Sequence, residues 1–140
     1  MSVTIPTTLP TGYAASVIDP AGDVAGKLYA AQASTTSAPT NLTSAGTLRT
    51  TGIGWVDLWL TAGVADVTIT VWSYSSVAGG WYVDTAFGVG GELLVDFSDK
   101  PAVRKSYEVR GADYMHVQIS ALGSSATATV FATVSQDTPK

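Results

Sequence analysis

From Gly54 almost to the C-terminus, apolar and polar residues alternate with the two-residue period of half-buried strands. Residues 55–60 set Val56, Leu58 and Leu60 against Trp55, Asp57 and Trp59. Residues 64–74 set Val67, Ile69 and Val71 against Asp66, Thr68, Thr70, Trp72 and Tyr74. Further strands are predicted over 81–85, 92–97, 103–109, 114–120 and 126–134, with Met115, Val117 and Ile119 facing inward in the fourth of these. Glycine-bearing stretches separate them. Thr61-Ala62-Gly63, Val77-Ala78-Gly79-Gly80, Gly88-Val89-Gly90-Gly91 and Leu122-Gly123-Ser124-Ser125 all read as hairpin turns, where positive φ is least costly on glycine.

Residues 1–50 have a different texture, rich in Thr, Ser, Ala and Pro, with Pro6, Pro10, Pro20 and Pro39 inside it. Proline removes a ladder donor and fixes φ, so this region is predicted as an extended arm with short edge strands over 3–5, 14–18 and 26–31. Asp19-Pro20-Ala21-Gly22 is a turn signal, and 33–46 reads as a loop. Residues 51–140 then form the body of what is one domain overall.

No segment sustains a 3.6-residue period with caps. Short strands with turn signals about every 8 to 12 residues predict an all-β fold, an antiparallel two-sheet β-sandwich. With roughly eight strands, a jelly-roll-like arrangement with an extended N-terminal arm is the first expectation, ahead of an immunoglobulin-like Greek key.

Composition narrows function by exclusion. The chain has 140 residues, 46% of them hydrophobic and only 13% charged, with no cysteine. Disulfide scaffolds, cysteine-based zinc sites and coiled coils are excluded. A net charge of −4 with seven Lys and Arg in all offers no cationic field for phosphates, which excludes nucleic acid as an expected partner. Arg104, Lys105 and Arg110, with Glu108 among them, read as a solvated strand face with local ion pairs. No apolar run approaches the ~20 residues of a membrane span, and residues 1–9 lack the pattern of a signal peptide. Synthesis in a cytoplasm and no membrane partner are the expectations. Asn41-Leu42-Thr43 matches a glycosylation acceptor pattern, read here as coincidental.

Catalytic constellations are not found. His116, the only histidine, alternates with Tyr114 and Gln118 opposite the inward face, and is predicted to be an exposed strand histidine rather than a base or metal ligand. Glu92 and Glu108 are the only glutamates, Asp96-Phe97-Ser98-Asp99 lacks the ligand density of a calcium loop, and the glycine pairs precede no helix. The expectations are no enzymatic activity, no catalytic residue, no metal and no cofactor.

The aromatic residues carry more information. Trp55 and Trp59 make the second face of their strand substantially apolar, Trp72 and Tyr74 stand on the threonine-bearing face of the next, and Trp81 and Tyr82 open another. A sandwich buries one face of each sheet, so these outward rings need cover from the arm, a neighbouring subunit or a ligand. Trp55, Trp59, Trp72 and Tyr74, with Val3, Ile5 and Leu9 of the arm, are the candidate interface or ligand contacts. Stacked sugar is one alternative occupant. Outward faces rich in Thr and Ser, with little charge, defend edges weakly against pairing, which favours a protein covered by partners in an assembly.

The stretch from Arg110-Gly111-Ala112-Asp113-Tyr114 through Ser120, followed by Leu122-Gly123-Ser124-Ser125-Ala126-Thr127-Ala128-Thr129-Val130, resembles the closing hairpin of small β-sandwich virion structural proteins of tailed bacteriophages. The resemblance covers about 25 residues. It implies a capsid decoration or cement protein located in the virion, a homo-oligomer with a trimer favoured, and the major capsid protein as partner. A tail or fibre component and a carbohydrate-binding β-sandwich module are the alternatives. No functional residue is carried over by the resemblance.

Overall fold

The computed structural model of the chain describes residues 13–18, 25–32, 38–61, 67–83, 102–109, 111–122 and 127–135, and 92–95 by their backbone. The expected contacts Val3, Ile5 and Leu9, and the turn at 88–91, lie outside these residues. Among the described residues there is no helix, and eleven strands form two antiparallel sheets. They are β1 (Tyr13–Ala14), β2 (Ser16–Val17), β3 (Lys27–Gln32), β4 (Thr47–Arg49), β5 (Trp55–Thr61), β6 (Val67–Ser75), β7 (Gly80–Val83), β8 (Glu92–Val95), β9 (Ala102–Glu108), β10 (Tyr114–Ala121) and β11 (Ala128–Ser135).

The pairing is nested. Strand β3 pairs with β11, β4 with β10, β5 with β9, and β6 with β7 and β8, so the chain forms one long antiparallel ribbon. Pairing of β5 with β11 and of β6 with β10 rolls this ribbon into two layers. One sheet runs β3-β11-β5-β9 with β1 beside β11, and the other runs β2-β4-β10-β6-β7 with β8 beside β6. Ala15, between β1 and β2, is the point at which the chain passes from one sheet to the other.

This topology corrects two sequence expectations. The Thr61-Ala62-Gly63 connection joins β5 to β6, which lie in different sheets and contribute to the same core. The Leu122-Gly123-Ser124-Ser125 connection likewise joins β10 to β11 across the sandwich, so the C-terminal strands are not a hairpin. Both edges of β5 are taken by β9 and β11, which leaves β6 no place beside it. The expected turn at Gly79 does close a hairpin, between β6 and β7, with Gly79 at φ 72°.

The core lies between the sheets and follows the alternation. Val56, Leu58 and Leu60 of β5 and Val130, Ala132 and Val134 of β11 meet Val67, Ile69 and Val71 of β6 and Met115, Val117 and Ile119 of β10. Leu28, Tyr29 and Leu48, from the Pro- and Thr-rich first 50 residues, are also fully buried. Leu28 and Tyr29 are consecutive yet both inward, because β3 carries an extra residue relative to β11 there. A second irregularity brings Ala31 to φ 41°, where its N–H meets Thr129 Oγ1 at 2.9 Å. Strand β4, unmarked in the sequence, fills the gap beside β10.

Candidate functional site

Each sheet presents an outward face. On the β3-β11-β5-β9 sheet the register aligns Lys27, Phe131, Trp59 and Arg104 in a single row across four strands. The row is built of rings flanked by cations. Lys27 Nζ stands 5.2 Å from the Phe131 ring centre, and the Arg104 guanidinium stands 5.0 Å from that of Trp59. Each such contact at an exposed site contributes about 0.5–1 kcal/mol.

Trp59 is held in place from below and beside. Its Nε1–H donates to Thr133 Oγ1 at 2.9 Å, and Arg104 Nη2 also donates to Asp57 Oδ1 at 3.2 Å. The Ser106 hydroxyl donates to the same carboxylate oxygen. Asp57 thereby fixes the arginine that covers the ring, while Trp59 remains 42% exposed. Trp55 follows on the same strand face, opposite Glu108, with its indole N–H buried and without a partner among the described residues.

The outward face of the second sheet is organised differently. Tyr74 packs edge-on against Trp81 at 5.4 Å and against Tyr114 at 6.0 Å, and Trp81 packs edge-on against His116 at 6.0 Å. Trp72 Nε1–H donates to Gln118 Oε1 at 3.0 Å. These half-buried rings contact one another in the edge-to-face manner that aromatic quadrupoles favour.

His116 corrects an expectation. Alternation places it on the outward face, yet it is 1% exposed, because Trp81 and the opposed Trp72 crowd that face and Thr47 flanks it. Its Nδ1 is hydrogen-bonded with Thr47 Oγ1 at 3.0 Å. It serves as a member of a packed aromatic and hydroxyl cluster. The basic group expected on one solvated face also divides: Arg104 points outward into its ion pair, whereas Lys105 falls on the core side of β9, half-buried.

Of the residues singled out in the sequence, Trp55 and Trp59 share one outward face and Trp72 and Tyr74 the other. The sandwich therefore separates the two pairs. Lys27, Phe131, Arg104 and Thr133 join the first pair only through strand register, which no local sequence signal encodes. Burial holds the Tyr107 hydroxyl far above the usual phenol range, and it stays protonated at neutral pH. Asn41 Oδ1 accepts from Thr43 N–H at 2.9 Å and from Thr43 Oγ1 at 2.8 Å, an Asx turn that accounts for that motif locally. Among the described residues no three His, Cys, Asp or Glu side chains gather as a metal site. Comparison with protein-family models, characterised sequences and solved structures returns no match to this chain.

Proposed function

We propose that the chain is a non-enzymatic structural protein of a bacteriophage virion, a capsid decoration or cement protein with a jelly-roll fold and an extended N-terminal arm. The nested order β3-β11-β5-β9 and β4-β10-β6-β7 supports the jelly-roll reading. The observation that carries the functional reading is the Lys27–Phe131–Trp59–Arg104 row, an outward sheet face of rings and fixed cations. Aromatic residues and arginine are the side chains enriched at interface centres, and a stable contact needs on the order of 800 Å² from each partner. In this reading the row seats on the major capsid protein, and copies of the chain associate with one another, as trimers, over the lattice.

Mass spectrometry of purified virions, separated into heads and tails, tests the reading. Head-associated copies in numbers matching the capsid lattice are expected, and recovery with tails would favour the fibre alternative. Absence from virions overturns both. A carbohydrate-binding role draws on the exposed Trp59 ring, but the Arg104 guanidinium stands over that ring, and a sugar would have to displace it. Tryptophan fluorescence unchanged across a sugar panel would remove that role.

A further inference from the structure

We propose that the Lys27–Phe131–Trp59–Arg104 row takes an extended acidic segment of a partner protein, with a carboxylate at each end of the row and an apolar side chain between them. The proposal rests on the reading of this row as the contact face, and names the chemistry that the face selects. What the row turns to solvent is aromatic and positive. The Arg104 side chain is 54% exposed, whereas that of Asp57 is 13% exposed and accepts from both Arg104 and the Ser106 hydroxyl. Asp57 thus orients the guanidinium while turning little of its own charge outward. The bond from Arg104 Nη2 to Asp57 Oδ1, at 3.2 Å, is the one hydrogen bond of that guanidinium among the described residues, out of five N–H donors. Donors therefore remain for a second carboxylate, in the planar fork that suits a bidentate pair. At the other end, Lys27 Nζ stands over Phe131 and adds a second cation to the same face.

Other occupants fit less well. A stacked sugar needs an open ring face, and here a cation stands over each ring. A polyphosphate meets two cations on a chain of net charge −4, too few for counterion release to drive binding. A second copy laid row against row about a two-fold axis brings Lys27 against Arg104 at both ends, cation to cation. The length of the row sets the spacing of the acids. Lys27, Phe131, Trp59 and Arg104 are successive register partners on four neighbouring strands, so the row spans about 14 Å. An extended peptide shows alternate residues on one face at about 7 Å intervals. Acid, apolar and acid residues at its first, third and fifth positions therefore match the row from end to end.

The test is an NMR titration of the full chain with a synthetic peptide, acetyl-Gly-Glu-Thr-Leu-Thr-Glu-Gly-amide, beside the same peptide with both glutamates replaced by glutamine. The acidic peptide is expected to shift the Trp59 indole and Arg104 guanidinium signals and to bind about tenfold more tightly than the glutamine peptide, with the difference shrinking at high salt. Arg104→Gln should weaken the acidic peptide about fivefold and leave the glutamine peptide unaffected, and Lys27→Gln should act in the same sense. Equal binding of the two peptides, no response to either, or shifts confined to another face overturns the proposal. So does self-association of the chain that Arg104→Gln abolishes, which would assign the row to a second copy. The two readings fail separately. Absence of the chain from virions leaves the peptide result standing, whereas loss of head binding in Trp59→Ala without any preference for the acidic peptide keeps the row as a contact face and removes the acidic partner.

Discussion

Tyr29 donates its hydroxyl proton to the Val117 carbonyl at 2.6 Å, tying β3 of one sheet to β10 of the other through the core. The same hydroxyl lies 3.3 Å from the Ala45 carbonyl, and Val117 N–H in turn donates to the Gly46 carbonyl at 3.0 Å. The Tyr29 ring reaches this position because Gly46, at φ 92°, has no side chain. A Cβ there would lie 1.9 Å from Tyr29 Oη and 2.9 Å from the Val117 carbonyl oxygen. Gly46→Ala is therefore expected to destabilise the fold by about 3 kcal/mol or more, from both the left-handed backbone and the overlap. Tyr29→Phe, which loses only the hydrogen bonds, should cost about 1–2 kcal/mol. Urea denaturation of the singles and the double checks this, and the double should be less destabilised than the sum, because the phenylalanine removes the nearest overlapping atom.

The cluster around His116 allows a second test. Thr47 is fully buried and its hydroxyl bonds with His116 Nδ1. Thr47→Val keeps the shape of the side chain while removing that hydroxyl, and should cost about 1–3 kcal/mol in chemical denaturation, with the strand pairing preserved by circular dichroism. A cost near zero would show that the bond contributes nothing net.

These two sites show where the sequence was readable and where it was not. The inward residues of β5, β6 and β10 follow directly from period-two alternation, since hydrophobic burial acts on each strand face separately. The Trp55–Trp59 face was legible for the same reason. Sheet membership was not, because the glycines at Gly63 and Gly123 permit a chain to reverse within a sheet or to cross to the other one equally well. Which occurs depends on long-range competition for the edges of β5 and β11. His116 was misjudged on the same ground: alternation puts it outward, and its burial comes from Trp81, two strands away in the sheet. The bulge that turns both Leu28 and Tyr29 inward, and the Lys27–Phe131–Trp59–Arg104 row, are likewise products of register.

A third expectation concerns acid. Asp113 Oδ2 accepts from Ser76 N–H at 2.8 Å and Ser76 Oγ at 2.7 Å, while its own N–H donates to the Tyr74 carbonyl at 2.9 Å. The bonds from the Ser76 hydroxyl and then its amide hold the Asp113 carboxyl below its usual range, since both favour the ionised form. A carboxyl lowered in the folded state adds stability above its unfolded pKa, about 3.9, and that stability is lost as pH falls through the folded value. Protection of the Ser76 amide, its exchange rate measured against the intrinsic rate at each pH, should therefore fall below about pH 4. In Asp113→Asn the acid dependence at this turn should vanish, and NMR at both pH values distinguishes the outcomes.

Trp59 tests the proposed head contact. Its ring is 42% exposed and lies on the sheet rather than in the core, so Trp59→Ala should leave the sandwich folded, with a cost of about 1–2 kcal/mol from its lost contacts. If the aromatic row seats on a capsid, the same substitution should weaken co-sedimentation with heads by about tenfold to a hundredfold, as removal of a central ring does at interfaces. Arg104→Ala should act in the same direction more weakly. Undiminished binding in Trp59→Ala would move the contact to another face.

The final expectation concerns Lys105. Lys105 points to the core side of β9, opposite Leu58 on β5, at a position where an apolar residue would be better buried. A half-buried ammonium makes it costly to lay an apolar surface of another molecule against this side of the sheet, because that contact would have to desolvate the charge. Lys105→Val should therefore raise the intrinsic stability of the sheet, by about 1 kcal/mol for the added apolar burial. It should at the same time lower the concentration at which the protein aggregates on mild heating. The two effects have opposite signs for a reason of design: the charge costs stability in the isolated chain and gives selectivity between chains. Light scattering on heating, compared with denaturant stability of the same variant, checks both. A Lys105→Val protein that is more stable and no more prone to aggregate would mean that the Lys105 charge plays no part in keeping chains apart.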